Sequence, residues 1–379
     1  MRLTGDWLTD PAAQSVCAAI LAGGHQALFV GGCVRNGLLN MPVGDIDIAT
    51  DATPDRVIAL AKAAGLKSVP TGIDHGTVTL VADGKPHEVT TFRRDVATDG
   101  RRAVVAFSDR IEEDAARRDF TMNALYARPD GTLVDPLQGL PDLHARRVRF
   151  VGDPDSRIRE DYLRILRFFR FTAWYGDPAQ GMDADGLAAC AAGIDGLHAL
   201  SKERVGAEMR KLLSAPDPAP AVGSMAQAGI LAALLPGADP RLLAPLIHLE
   251  QGEPIRWLRR MAALGGPDPT DALRLSRSDS RDLAHLRAAL EGTQTPAVLG
   301  HSLGPALAMD ALLLRAALFE QPLPPTAKDD VARGAATPFP VTAADLPALS
   351  GPALGQELKR LKNLWLSSDL RLTRSQLLG

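Results

Sequence analysis

Two aspartates two positions apart, Asp45 and Asp47, follow shortly after a glycine pair, Gly31-Gly32. In an extended strand, residues two apart point to one face, so both carboxylates would converge on one point. Two negative charges held there repel unless a cation lies between them. Hard oxygen donors suit Mg²⁺, which uses one or two protein carboxylates and completes its shell with water and substrate phosphates. Such an ion lowers the pKa of an attacking hydroxyl and clamps a triphosphate. The glycine pair lets backbone amides approach phosphates where a helix starts, and Arg35 could add a charge-assisted contact. Glu88, on a neighbouring candidate strand, is a possible third carboxylate. Taken singly, each feature also reads as a solvated acid or an ordinary tight turn; it is their combination at this spacing that points to phosphate chemistry.

Arginines supply the second set. Residues 101–170 hold 14 arginines and no lysine. The stretch 113–124, EDAARRDFTMNA, reads as a helix with Ala116, Phe120 and Ala124 on one face and Arg118 beside Asp119 near the apolar boundary. In 157–174, Tyr162, Ile165, Leu166 and Phe169 form a core stripe. Asp161, Arg164, Arg167 and Arg170 step by three, tracing a slanted ridge around a helix of 3.6 residues per turn. An acid acceptor (Asp161) beside a planar fork of donors (Arg164) can match the Watson–Crick edge of a base, and arginine is also a bidentate phosphate ligand. The alternative is a set of intrahelical ion pairs on solvated faces.

The elements that would position these groups divide the chain. Ala27 to Val30, Asp45 to Ala49, Thr77 to Val81 and Glu88 to Phe92 read as strands, the last two separated by a turn at Asp83 to Pro86. Thr53-Pro54 opens a helix through Ala64, with Thr53 as N-cap and proline in the first turn. After residue 155 strand signals nearly vanish, and Asp183 to Ile194, Ser201 to Leu213, Leu242 to Leu249 and Asp279 to Glu291 read as helices. The expected class is α+β, with a head over 1–150, a helical neck over 151–215 and a helical body and tail over 216–379. The 379 residues carry a net charge of −3, so a nucleic-acid partner would need a local basic surface. Three cysteines without CxxC spacing, no signal-like N-terminus and no run of about 18 apolar residues lead us to expect a cytoplasmic protein with no structural zinc and no membrane span. Lys359, Arg360, Lys362, Arg371 and Arg374 could touch RNA or simply be solvated helix ends.

The order GGCVRN…DID, EVTTFRRD, RRDFTMNA, REDYLRILRFFRF and GLHALSKERVGAEMRKLL, over residues 27–214, resembles the class II tRNA nucleotidyltransferase and bacterial poly(A) polymerase family. The resemblance implies a polymerase-β-type nucleotidyltransferase head followed by an all-α neck, body and tail. It implies Mg²⁺ on Asp45 and Asp47, triphosphate contacts at Gly32 and Arg35, and a nucleotide-binding Arg118 beside a ribose-linked Asp119. Asp161 and Arg164 would read the base edge of CTP and ATP, with Arg167 and Arg170 as further nucleotide contacts. Asp142 to Arg149 resembles a flexible segment that helps switch from C to A addition, and Ser201 to Leu213 a helix supporting the neck. The implied activity is addition of C, C and A to the tRNA 3′ end, with poly(A), CC-only and A-only addition as close rivals. A non-catalytic RNA-binding protein is the rival of another class; no obligate protein partner is implied. One departure stands out: Asn36 replaces the aspartate usual after Arg35, removing a charge that would orient that arginine.

Overall fold

The computed structural model describes residues 1–99 and 102–379, with the side chains of all but 95–105. Asp95 of the EVTTFRRD motif and Arg101 therefore lie outside the described side chains. The chain forms two compact units: 1–204 with 228–230, and 205–227 with 231–379.

The first unit is built on a mixed sheet. Its elements run α1 (Pro11–Ala22), β1 (Leu28–Val30), α2 (Gly32–Leu38), β2 (Asp47–Thr50), α3 (Pro54–Ala63), β3 (Lys67–Gly72), β4 (Thr77–Ala82) and β5 (Lys85–Thr91). A separate hairpin, β6 (Arg93–Asp99) and β7 (Arg102–Phe107), leads into α4 (Ile111–Ala116), and β8 (Tyr126–Ala127) and β9 (Leu133–Val134) return to the sheet. The order is β3-β4-β5-β2-β1-β8-β9. Only β2 and β5 pair in parallel, with Asp47 opposite Glu88 and Ile48 opposite Val89. Alternation buries Val78, Leu80, Ala82 and Val89 on the core face. Asp10 starts α1 by accepting from the amides of Ala12 and Ala13 at 3.0 and 3.1 Å. Thr53 sits at the N-cap of α3, as expected, but its side chain makes no capping bond. The β4–β5 turn is tighter than expected: Asp83 and Gly84 both have positive φ, and Pro86 already pairs with Val81.

Helical elements complete this unit: α5 (Leu140–His144), α6 (Pro154–Glu160), α7 (Leu163–Tyr175), α8 (Ala184–Ala192) and the first residues of α9 (Lys202–Leu213). An aromatic cluster of Phe120, Phe150, Phe168, Phe169, Phe171 and Tyr175 packs α7 onto the strand-like bridge between Phe120 and Phe150. Cys17, Cys33 and Cys190 are buried free thiols. Burial pushes the Cys17 thiol up to about 12 and Cys33 up to about 11, and raises Cys190 likewise.

The second unit contains the rest of α9, α10 (Ala219–Gln227), α11 (Ile230–Leu234) from Leu231 on, α12 (Leu243–Leu249), α13 (Trp257–Ala263), α14 (Arg277–Glu291), α15 (Pro296–Leu318), α16 (Ala327–Ala336), α17 (Gly351–Ser367) and α18 (Arg374–Leu378). Pro245 lies in the first turn of α12, where its missing N–H breaks no helical bond. Buried charges are gathered into one network. Arg259 donates to Glu250 and Asp310, both at 2.7 Å. Arg260 donates to Glu250 at 2.9 Å and to the Leu213 and Ala215 carbonyls. Against expectation, α15 is long and apolar enough to match a membrane span by composition. It is interrupted at Gly304 (φ 76°) before Pro305, so neither straight piece reaches the roughly 20 residues a span needs, and much of the helix is buried.

Candidate active site

Gly31 takes φ 71° and ψ −120° to turn β1 sharply into α2, a backbone that needs glycine. A Cβ at Gly31 would lie 3.6 Å from Arg118 Nη1, and one at Gly32 would lie 3.8 Å from Arg35 Nη2. Two guanidiniums thus flank the turn. The strand carrying the acids starts later than expected, at Asp47, so Asp45 lies in the preceding loop and is exposed. Asp47 is itself solvent-accessible as a residue; partial desolvation of its carboxyl and the Glu88 and Asp45 charges push its pKa up, and Arg118 opposes them. Glu88 belongs to this acidic edge because the parallel β2–β5 register points it to the same side as Asp47. Among the described residues no three His, Cys, Asp or Glu side chains form a ready metal cage. The nearby donors are carboxylate oxygens, the type that hard cations take.

Arg118 is held from behind. Its Nη2 donates to Asp114 at 3.0 Å and its Nε to the Tyr126 hydroxyl at 3.1 Å, leaving Nη1 toward Gly31. Tyr126 donates to the same Asp114 oxygen at 2.7 Å, and Arg117 donates to the other at 2.7 and 2.9 Å. Burial alone would raise the Asp114 carboxyl, but Arg118 and Arg117 hold it down at about 2. The helix expected over 113–124 in fact ends at Ala116. Its last carbonyls are taken by the neck: Arg157 donates to Ala116 O at 3.1 Å and Arg164 to Arg117 O at 3.1 Å. Phe120 then turns away to bridge Phe150, so Ala116, Phe120 and Ala124 share no helical face.

Arg35 is buried rather than open. Its Nε and Nη2 donate to Asn36 Oδ1 at 3.1 and 2.9 Å, its Nη2 also to the Tyr175 hydroxyl at 2.7 Å, and its Nη1 to Asn123 Oδ1 at 2.5 Å. The guanidinium lies 4.1 Å from the Tyr175 ring centroid. Burial lowers its pKa, opposed by Tyr175 and Asp119. Asn36 therefore does orient Arg35, through a neutral oxygen, while its Nδ2 donates to Pro42 O at 2.8 Å. A carboxylate could not make that last bond. Asn123 hands the chain on to Asp119 Oδ1 at 2.8 Å. Arg167 clamps Asp119 Oδ2, with Nε at 2.8 Å, which keeps that buried carboxyl low.

The ridge expected along one neck helix is broken. Asp161 has φ −156° and ψ 104°, separating α6 from α7. Its Oδ1 accepts from the Leu163 amide at 3.1 Å and its Oδ2 from Arg204 at 2.6 Å. Arg164 does not pair with it; its Nη1 donates to Glu160 at 2.5 Å and Arg157 O at 2.7 Å. Ile165, Leu166 and Phe169 are buried as expected, but Tyr162 only partly so. Arg170 lies over the Phe171 ring at 4.5 Å. Asp142 is also anchored, accepting from Thr121 at 2.8 Å and from Arg149 Nε at 2.9 Å. Of the C-terminal cations, Arg360 pairs with Glu357 one turn away and Arg374 with the more distant Asp345. Sequence reasoning missed Asp114, Asn123, Tyr126, Tyr175 and Arg204. Asp114 was within reach as the residue four before Arg118; Tyr175 and Arg204 lie 140 and 43 residues from their partners, with no local signal.

Carboxylates at the start of the central strand β2 and on its neighbour β5, beside a glycine turn leading into a helix and an arginine aimed at that turn, define the head of a nucleotidyltransferase. Residues 27–149 match the family model described as the Poly A polymerase head domain, and 182–242 that described as "Probable RNA and SrmB- binding site of polymerase A". A crystal structure of the CCA-adding enzyme of Bacillus stearothermophilus in complex with CTP superimposes with a TM-score of 0.76 at 30% identity, covering 95% of this chain and 94% of that one. The CCA-adding enzyme of Geobacillus thermodenitrificans is 42% identical over 246 residues, 64% of this chain and 56% of that protein. The human mitochondrial CCA tRNA nucleotidyltransferase 1 is 42% identical over 190 residues, 50% of this chain and 44% of that protein. The matched stretch thus spans about half the length of these curated relatives. The chain belongs to the tRNA nucleotidyltransferase and poly(A) polymerase family. Nucleotidyltransferases of this family generally need a divalent metal.

Proposed function

We propose that this chain adds C, C and A to the 3′ end of tRNA from CTP and ATP, without a nucleic-acid template, in the cytoplasm. The observation that carries this reading is the joining of Asp45 and Asp47 to Arg118 and the Gly31-Gly32 turn in one electrostatic neighbourhood. The likeness to a CTP-bound CCA-adding enzyme supports it. Asp45 and Asp47 would hold Mg²⁺, which when bound lowers the pKa of the attacking 3′-hydroxyl and neutralises the leaving pyrophosphate.

The chain's own residues would do the rest. The amides at the start of α2 and Arg118 Nη1 receive the triphosphate, and Arg35 places a buried positive charge under that turn. Asp119, fixed by Arg167 and Asn123, faces the ribose, and Arg170 adds a further nucleotide contact. Asp161, steadied by Arg204, accepts from the exocyclic amino group that cytosine and adenine share. Arg164 donates to the adjacent ring nitrogen by exchanging its contact with Glu160. Guanine or uracil would leave these groups mismatched. The tRNA end would be gripped chiefly through phosphates and shape.

The test is extension of tRNA transcripts ending in the discriminator base, C or CC, with each nucleotide alone and with CTP plus ATP. Stepwise C, C, A addition that stops, and is lost in Asp45→Ala, is expected. Long A tails would instead indicate a poly(A) polymerase, and C alone or A alone a split-pathway enzyme. No incorporation would indicate a non-catalytic RNA-binding protein.

A further inference from the structure

Away from Asp45 and Asp47, the first unit has a polar cavity of about 260 Å³, lined by Arg146, Arg147, Gln180, Gly181, Met182, Asp183 and Ala184. Its floor is built from the turn that ends α5. The Arg146 and Arg147 amides donate to Leu143 O at 3.0 Å and Asp142 O at 2.8 Å, closing the helix end. Arg146 occupies the left-handed position of that turn, φ 50°, where glycine or asparagine is the usual occupant. A residue with a Cβ there costs stability that glycine would not. The opposite wall is tied to the same turn, since the Asp177 amide donates to Arg146 O at 3.2 Å.

The acids of that wall are already used. Asp177 accepts from the Ala179 amide and from Gln180 Nε2, both at 3.0 Å, and Asp183 accepts from the Gly186 amide at 3.0 Å. Neither pairs with the arginines. Arg146 and Arg147 have no side-chain hydrogen bond or ion pair among the described residues, unlike the arginines of the active site, and both are exposed. Two adjacent unpaired guanidiniums in one polar recess are an anion site. Asp183 in the same recess keeps its own negative charge while capping the next helix, so the two guanidiniums leave one net positive charge there, and two planar forks suit a phosphodiester. The wall at 182–184 also opens the stretch matching the RNA-binding family model.

We propose that the Arg146–Arg147 recess is an RNA-backbone phosphate site, separate from the nucleotide site; the inference deepens the tRNA reading above and rests on it for the identity of the RNA. The variants are Arg146→Gly, which removes a charge while easing the left-handed backbone, and Arg146→Gly with Arg147→Gln. Fluorescence anisotropy with labelled tRNA and with a single-stranded RNA would be recorded from low to high salt. CTP affinity and melting temperature would be measured beside it, and inorganic phosphate would serve as competitor.

For the double variant we expect the slope of log Kobs against log salt to shrink by about 1.5, and binding at low salt to weaken about tenfold, for two lost phosphate contacts. CTP affinity, recorded because Arg146 and Arg147 fall in the stretch expected to help switch from C to A addition, separates any nucleotide effect from the loss of RNA binding, and the single variant should melt no lower than the parent. Unchanged RNA affinity and slope in the double variant would overturn the proposal, even if nucleotide addition proceeds normally. So would competition by inorganic phosphate with no effect of the variants on RNA, which would mark a free-anion site. Loss of RNA binding in the variants of a protein that adds no nucleotide would support the recess while removing the CCA-adding reading.

Discussion

Replacing Asp114 with asparagine keeps the shape behind Arg118 and removes its charge. Asp114 is buried and bonds Arg117, Arg118 and Tyr126 at once. Its carboxyl is held down from an ordinary 3.8 to about 2. Because the folded value is the lower one, the stabilisation is complete well above 3.8 and disappears as pH falls through 2. The difference between 3.8 and about 2 corresponds to about 2 kcal/mol at pH 7. The same linkage leaves roughly half of that at pH 3 and little of it at pH 2. Urea unfolding of parent and Asp114→Asn, followed by circular dichroism at pH 7, 4, 3 and 2, reads this directly. A destabilisation that is the same at pH 7 and pH 2, or absent at pH 7, would refute the argument that Asp114 acts as a paired anion. The same substitution frees Arg118 to wander from the glycine turn, so the CTP KM should rise about tenfold with the protein folded.

Three further outcomes are expected. Asp47→Ala should keep the fold and lower the rate of nucleotide addition by at least about 10³ in single-turnover extension, as removal of a principal charge-stabilising group does. Arg204→Ala should release one oxygen of Asp161 and weaken base choice, seen as a rise in uridylate over cytidylate incorporation of about tenfold. His87, buried in the sheet with neither ring nitrogen bonded, has its pKa lowered by burial. Its neutral form is the folded one, so stability should be full above 6.5 and fall as pH drops below it; His87→Leu should remove that acid sensitivity in melting curves from pH 8 to 5.

The chemistry at the acidic edge was legible because it depends on short spacings. Asp45 and Asp47, the Gly31-Gly32 turn and Arg118 are each recognisable from neighbours a few residues away. What the periodicity hid was where helices stop. The apolar pattern runs through Asp161 and through Arg117, yet both helices end there. In each case a side chain offers the backbone a competing bond: Asp161 takes the Leu163 amide, while Arg157 and Arg164 take the carbonyls that end α4. The Leu163 amide is only two residues from Asp161, a local break that the apolar periodicity masks, whereas Arg157 and Arg164 come from 41 and 47 residues away, outside any local window. Arg35 shows the same limit. Its spacing from Gly32 announces a phosphate contact, but the tyrosine that holds it is 140 residues on. The hairpin β6–β7 and the short strands β8 and β9 went unread because their alternation is weak or too brief.

The three thiols give the molecule a practical property. Each is enclosed in apolar packing and reluctant to ionise, including Cys33, whose Sγ donates to Val30 O at 3.3 Å within the glycine-turn region. Thiolate reagents need access and ionisation, and none of the three offers either. A single cysteine introduced on the surface, at Gln180 beside the arginine recess or at Arg371 near the C-terminus, would thus take a maleimide dye selectively in the otherwise unaltered protein. Chemical labelling could then follow RNA onto either unit without first stripping the native sulfurs from the core.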